Sequence, residues 1–371
     1  MSLYSDGRER SSHPLPLSFP GLEAARRRPA ATGSDPDCDW YRIADGLLSV
    51  TGDDAMFRAT VREIYGDCML GAAAVGALAT AGAPKVGCRV GQAERDGATI
   101  IDFSGDAPID LHAFTLGVFA DRGYVDAGSG GDEWRFIAHL ADPTVAVLAV
   151  RGERMVARAG HPWEGLVANV AFSRLMHAQI GCLFFHAGTV SVDGAGMMLC
   201  GEKAHGKTTT SLAIALRGHR LLGDEIAAVR VGTRELLPVR RALSLREGPA
   251  AGALAARLAG APQTRLVYPD GGTRTRVAIS ALLGASVPDA VPLRLIVMIA
   301  GFGDRPTIER AVTSRDGRRF LHPLAATMWG PGSPRRAMQL LRLLAVVPAA
   351  ILRAGTPDDT AAVVEEFCRA S

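Results

Sequence analysis

The sequence predicts an α/β fold: a nucleotide-type core built on a phosphate loop, preceded by an additional α/β module. Three observations carry this. The stretch Gly201-Glu202-Lys203-Ala204-His205-Gly206-Lys207-Thr208 reads G-x-x-x-x-G-K-T. A β-prone run, Gly188 to Cys200, leads into it, and a helical run, Thr208 to Arg217, leads out and stops at Gly218. On either side, short apolar runs alternate with segments of helical period, as an α/β protein requires.

The spacing of the loop has a physical reason. Glycines let the backbone curl so that successive N–H groups face phosphate oxygens, and the following helix adds its positive end. The residues from Gly201 to Thr209 would form the cradle. Lys207 would reach the β- and γ-phosphates, and the Thr208 hydroxyl would complete a Mg²⁺ shell. Composition agrees. The chain has three lysines, Lys85, Lys203 and Lys207, against thirty-eight arginines, and two of the three lie in this loop. A compact ammonium beside phosphate is poorly replaced by a planar guanidinium.

A net charge of +3 argues neither for nor against nucleic acid, and no nucleic-acid partner is expected. The six cysteines are dispersed, without C-x-x-C pairs or zinc spacing. The first residues are polar, with no apolar leader, and Leu293–Ala300, the most apolar run, is too short for a bilayer. The expectation is a reduced, cytoplasmic protein with no membrane partner. Homo-oligomerisation stays open.

Residues 1–38, rich in Pro, Ser, Gly and charge, are expected to be a disordered tail. Residues 39–165 are expected to form the α/β module, of unassigned role. It would hold a helical segment at Asp67–Ala81, strands at Ala98–Phe103 and Thr144–Val150, and a helix at Leu111–Arg122. Asp102, Asp106, Asp110 and His112 lie close in sequence but lack a ligand spacing, so they are expected to be turn and surface residues.

Residues 166–371 are expected to form the nucleotide-binding domain. Leu166–Ile180 has helical spacing and ends at Gly181, and Cys182–Phe185 is a short strand. His186 follows, one hairpin ahead of the loop, where an active-site and a structural role are about equally expected. The hairpin turns at Asp193-Gly194. Gly218–Val229 is expected to be a strand bearing the acid pair Asp224-Glu225. Paired carboxylates beside bound nucleotide can hold Mg²⁺ and accept a proton from an attacking hydroxyl. Beyond it, Ile226–Val239 reads as a hairpin, Leu293–Ala300 and Thr307–Ala311 as strands, and Phe320–Trp329 and Pro334–Val346 as helices. A last helix would be capped by Thr356. Arg240, Arg241 and Arg246 are candidate phosphate or substrate contacts, with solvated edge-strand arginines as the alternative.

The ordered set His186-Ala187, the Asp193-Gly194 hairpin, the GEKAHGKTT loop and Arg217-Gly218-His219-Arg220-Leu-Leu-Gly-Asp224-Glu225 resembles the HPr kinase/phosphorylase family and its relatives. These share a core with phosphoenolpyruvate carboxykinases, and some relatives modify peptide precursors in natural-product pathways. An acid pair seventeen residues after the loop lysine is specific to this resemblance. It covers about residues 166–371.

The resemblance implies an ATP- and Mg²⁺-dependent kinase acting on a hydroxyl, a Ser or Thr of a peptide or protein. Lys207 matches the phosphate-binding lysine and Thr208 the metal hydroxyl. Asp224 matches the catalytic base. Glu225 stands for the second aspartate near the metal, one methylene longer. Lys203 and His205 depart from the small residues usual there. The alternatives left open are a small-molecule kinase and a nucleotide-binding regulator or scaffold without transfer activity.

Overall fold

The computed structural model describes residues 19, 38–92, 98–106, 109–119, 122–247, 258–267, 272–311, 313–329 and 333–370. Apart from Phe19 and Cys38, the tail expected over 1–38 lies outside the described residues. Phe19 is buried and stacks on Phe136, with ring centroids 6.1 Å apart. The chain is mixed α/β and divides into two compact units. One comprises residues 1–34, 89–103 and 108–163; the other 35–88, 104–107 and 164–371. The second unit thus takes in residues 35–88 as well as the expected 166–371.

Those added residues open with a hairpin, β1 (Asp39–Ile43) and β2 (Gly46–Gly52), paired from Asp39↔Val50 to Ile43↔Gly46. Helix α1 (Ala55–Tyr65) follows, started by Asp54, whose carboxylate accepts from the Phe57 N–H at 2.8 Å. The buried Asp39 binds Arg58 and Arg62 of α1 at 3.1 and 2.7 Å. Tyr65, at the end of α1, stacks on Phe172, and Tyr41 meets the same ring edge-on. Burial of these aromatics ties the segment to residues more than a hundred positions on. Helix α2 (Ala72–Thr80) and strand β3 (Lys85–Gln92) complete this stretch.

In the first unit, β4 (Thr99–Gly105) is followed by α3 (Leu111–Val118), β5 (Tyr124–Ser129), β6 (Arg135–His139), β7 (Asp142–Arg151) and β8 (Arg154–Ala157). The strands lie antiparallel in the order β4-β8-β7-β6-β5. Ile100, Trp134, Phe136 and Val156 are among the core residues there. The acid cluster has structural employment. Asp102 pairs with Arg154, and Asp110 caps α3 through Ala113 N and binds Arg135 at 3.0 Å. His112 Nε2 lies 3.3 Å from the Phe136 carbonyl. In the second unit Asp106 accepts from Lys85 N at 2.9 Å.

The second unit continues with α4 (Glu164–Ala178), β9 (Cys182–Phe185), β10 (Gly188–Val192), β11 (Ala195–Gly201), α5 (Lys207–Leu216), β12 (Arg220–Gly223) and β13 (Ala227–Arg230). Then come β14 (Glu235–Leu237), β15 (Leu243–Arg246), β16 (Gln263–Val267), β17 (Thr273–Val277), α6 (Ile279–Leu283) and β18 (Val291–Phe302). The chain closes with β19 (Thr307–Arg310), α7 (Thr313–Thr327), α8 (Pro334–Val346), β20 (Ala349–Ala354) and α9 (Pro357–Arg369). As expected, Thr356 caps α9, with Pro357 at its first turn.

The main sheet runs β12-β10-β11-β18-β14-β13-β9, with β20 on β18 and β19 on β20. Its centre is parallel, β11 and β20 flanking β18. One face buries Leu212 and Ile214 of α5 and Val364 of α9. The other buries Phe320 and Leu324 of α7 and Leu340 and Leu343 of α8. A sheet covered on both faces explains why its central strands are apolar throughout rather than alternating.

Several elements differ from expectation: the helix expected at Phe320–Trp329 runs Thr313–Thr327, and the one expected at Leu111–Arg122 stops at Val118. Asp224 and Glu225 do not lie within a continuous strand; they form the turn between β12 and β13. Glu225 takes a left-handed backbone, φ 65°, which ends strand pairing there. The preceding Gly223 bridges Val239 so closely that a Cβ would run into the Val239 carbonyl. Gly223→Ala is therefore expected to lower stability by about 1–3 kcal/mol, read as a fall in Tm relative to the wild type.

Candidate functional site

The expected loop leaves β11 at Gly201, paired in register with Ile299 of β18. It passes through Ala204 at φ 70° and Gly206 at φ 88° before α5 begins at Lys207. Only glycine takes such a backbone without strain, so Gly206 is required and Ala204 is held there by its surroundings. The His205 ring lies 3.2 Å from the Ile299 carbonyl through Nδ1, fixing the loop to β18. Its Nε2 is 3.8 Å from Glu202. Glu202 and Lys203 are exposed on the rim, and Thr209 is half-buried in the first helical turn. The loop thus stands at the carboxyl end of a parallel strand, where open α/β sheets receive ligands. The first N–H groups of α5, which no intrahelical carbonyl can satisfy, head it.

Lys207 is buried and curls back, donating from Nζ to the carbonyls of Gly201 and Glu202 at 2.9 Å each. Burial holds its ammonium below the ordinary lysine range. Asp224 and Glu225 oppose that shift, and Arg246 adds to it. Thr208 Oγ1 donates to Asp224 Oδ2 at 2.8 Å. Asp224 is 2% exposed, and its Oδ1 has no hydrogen-bond partner among the described residues. Burial, reinforced by the charge of Glu225, pushes this carboxyl up to about 7. A buried carboxylate that no cation neutralises is costly and takes up a proton instead.

Glu225 is held in three ways. Its backbone is left-handed, its carbonyl is 3.2 Å from His186 Nδ1, and its carboxylate receives Arg241 at 2.7 Å. A carbonyl only accepts, so Nδ1 of His186 carries the proton and Nε2 is left as an acceptor. Burial, then the charge of Lys207, keeps His186 below the ordinary histidine range. The guanidinium of Arg241 lies 5.6 Å from the centre of the Tyr65 ring.

The structure therefore gathers His186, Lys207, Thr208, Asp224, Glu225 and Arg241. Arg246 is exposed near enough to act on Lys207. Arg240 does not join them. It is buried, donating to the carbonyls of Gly284 and Ser286 at 2.9 and 2.7 Å, where it closes the end of α6. Its expected contact with phosphate or substrate gives way to that structural task.

Several supporting residues carried no sequence signal. Thr189 Oγ1 donates to the Gly223 carbonyl at 3.1 Å, which steadies the turn bearing Asp224. Tyr65 touches Arg241 from far upstream. Arg217 and His219, read only as part of a motif, both face the buried Glu365 of α9, at 2.6 and 3.4 Å. They anchor the last helix to the end of α5.

The arrangement has the means to seat an anion at the loop and to move a proton at Asp224. Its oxygen donors, the Thr208 hydroxyl and the Glu225 carboxylate, suit a hard divalent cation such as Mg²⁺. That ion takes one or two carboxylates and fills its shell with substrate phosphate and water. Thr208 and Glu225 are both half-buried beside Asp224, which fits that demand and leaves the unpartnered Asp224 Oδ1 to take a proton.

No protein-family model matches the chain, and no curated protein matches it. Among solved structures, one of the Hpr(Ser) kinase/phosphatase from Coxiella burnetii matches at 14% identity. It covers 50% of this chain and 94% of that one, with a TM-score of 0.26. The chain itself is a mixed α/β protein in which a glycine-bounded strand-to-helix loop meets a buried carboxylate.

Proposed function

We propose that this protein is an ATP- and Mg²⁺-dependent phosphotransferase that moves the γ-phosphate of ATP to a hydroxyl, a serine or threonine of a peptide or protein. One observation carries it: Asp224 is buried, is hydrogen-bonded to the threonine that follows the loop lysine, and keeps Oδ1 unpartnered for a proton. A general base works best when its pKa lies near the operating pH.

In this mechanism the loop amides and Lys207 hold the phosphates and balance charge on the transferred group. Lys207 leaves the carbonyls of Gly201 and Glu202 to do so. Thr208 and Glu225 supply oxygens for the metal, whose chemical contribution is neutralisation of phosphate charge. Asp224 accepts the proton of the attacking hydroxyl, and His186 fixes the turn beside it. Arg246 is placed to meet phosphate or acceptor.

The peptide acceptor is supported by the sequence resemblance. It is supported also by a first unit, residues 89–103 and 108–163, that supplies none of the site residues and is available to grip an extended partner. The cytoplasmic assignment is supported by six free cysteines. Among the described residues, no helix is long and apolar enough to cross a membrane.

Transfer from [γ-³²P]ATP to peptides encoded beside the gene, read by mass spectrometry, tests the acceptor. Phosphate on Ser or Thr is the expected result. Labelling of a sugar or amino acid with no labelled peptide would make it a small-molecule kinase. Tight ATP binding with no acceptor labelled at all would favour a regulator.

A further inference from the structure

Strand β18 is apolar and buried through its middle, then ends on Phe302, which is 57% exposed. Its pairing with β20 shifts register between Ile299 and Phe302, and Gly301 between them has φ 124°. A glycine bulge of this kind bends a strand end and re-aims the side chain beyond it. Here the aim is toward the loop. The Phe302 ring lies 3.4 Å from where a Cβ on Gly206 would stand. Gly303 N donates to the Ala354 carbonyl at 2.8 Å, closing the ends of β18 and β20 beside it. An exposed phenyl ring therefore stands at the carboxyl ends of two parallel strands, against the glycine that opens α5.

Leaving a phenyl ring in water forfeits its burial, so a flat partner that covers it recovers that free energy. We propose that Phe302 is the platform on which the base of the bound nucleoside triphosphate stacks. This rests on the nucleotide-binding role of the loop. The phosphates occupy the loop, and the base lies outward over the end of β18. Every nucleobase presents a π-face, so a stacking platform gives affinity with little choice between bases.

Calorimetry with two probes, Mg²⁺·ATP and Mg²⁺·tripolyphosphate, tests this on the full chain. Phe302→Ala is expected to weaken Mg²⁺·ATP by roughly 10-fold and to change tripolyphosphate less than about twofold. Phe302→Trp is expected to keep ATP affinity, and ATP, GTP and CTP should bind the wild type within about a factor of five. The side chain is exposed, so both variants should melt with the wild type. Unchanged ATP affinity in Phe302→Ala, or equal losses for ATP and tripolyphosphate, would overturn the platform and leave the loop's role standing. A wild type that binds neither probe would overturn the loop's role and the platform with it.

Discussion

Asp224→Asn should make the free protein more stable at pH 8 while slowing phosphoryl transfer by two orders of magnitude or more. The stability half follows from burial. The folded carboxyl titrates near 7, against 3.8 for the ordinary group. Between those values the folded state holds a proton that the unfolded chain has released, so stability falls as pH rises. The contribution of the protonated form is fully present below pH 3.8 and is lost as pH climbs through about 7. Each pH unit in that window is worth about 1.4 kcal/mol, so the accumulated penalty is on the order of 4 kcal/mol above it. Asparagine has nothing to ionise and escapes this. The gap in Tm between variant and wild type should therefore open from pH 4 to 7 and stay level above. The kinetic half follows because an amide cannot take the hydroxyl proton, and losing a general base costs about 10²-fold or more. ATP affinity should be nearly unchanged. A variant less stable than the wild type at pH 8 would show that Asp224 is compensated in a way its unpartnered Oδ1 does not suggest. An active variant would remove Asp224 from the chemistry.

The same carboxylate marks where sequence stopped being informative. The loop was legible because its chemistry is local: glycines at fixed spacing, a lysine in an arginine-rich chain and a hairpin ending at Gly201. Helix α5, the hairpin of β10 and β11, and the cap of α9 are specified by neighbouring residues in the same way. The turn at Asp224-Glu225 was not legible as a turn. Its left-handed residue is a glutamate, not the glycine or asparagine that would announce it, and it is held by His186 and Arg241. Arg240 and Arg241 are adjacent and alike in sequence. Tertiary contacts send the first to the carbonyls after α6 and the second to Glu225. Nor does local pattern show that residues 39–68 belong with the site's unit. That follows from Tyr65, which stacks on Phe172 and underlies Arg241. Ile64 adds to it by accepting the Ala242 N–H at 2.8 Å. Such partners lie more than a hundred residues apart, beyond any periodicity.

Lys207→Ala should abolish most of the thermal stabilisation that Mg²⁺·ATP gives the wild type. A ligand that binds only the folded state adds RT ln(1 + [L]/Kd), about 2.7 kcal/mol at a hundredfold excess over Kd. The lysine is the one buried cation of the loop, and in the free protein it is spent on the carbonyls of Gly201 and Glu202. Its removal has two opposed effects on the free protein. Two carbonyls lose a charged donor, while a desolvated ammonium disappears from a place where burial already disfavours it. These partly cancel, so the Tm without nucleotide should move little beside the shift that nucleotide produces. Binding has no such cancellation, because triphosphate left without the ammonium keeps its charge uncompensated in the loop. Lys207→Arg should also fail, since a longer, planar guanidinium cannot occupy the space of a compact ammonium between two carbonyls. Differential scanning calorimetry with and without Mg²⁺·ATP reads all three proteins. Equal nucleotide-induced shifts in wild type and Lys207→Ala would mean that the loop does not bind phosphate, and the proposed chemistry at Asp224 would lose its donor.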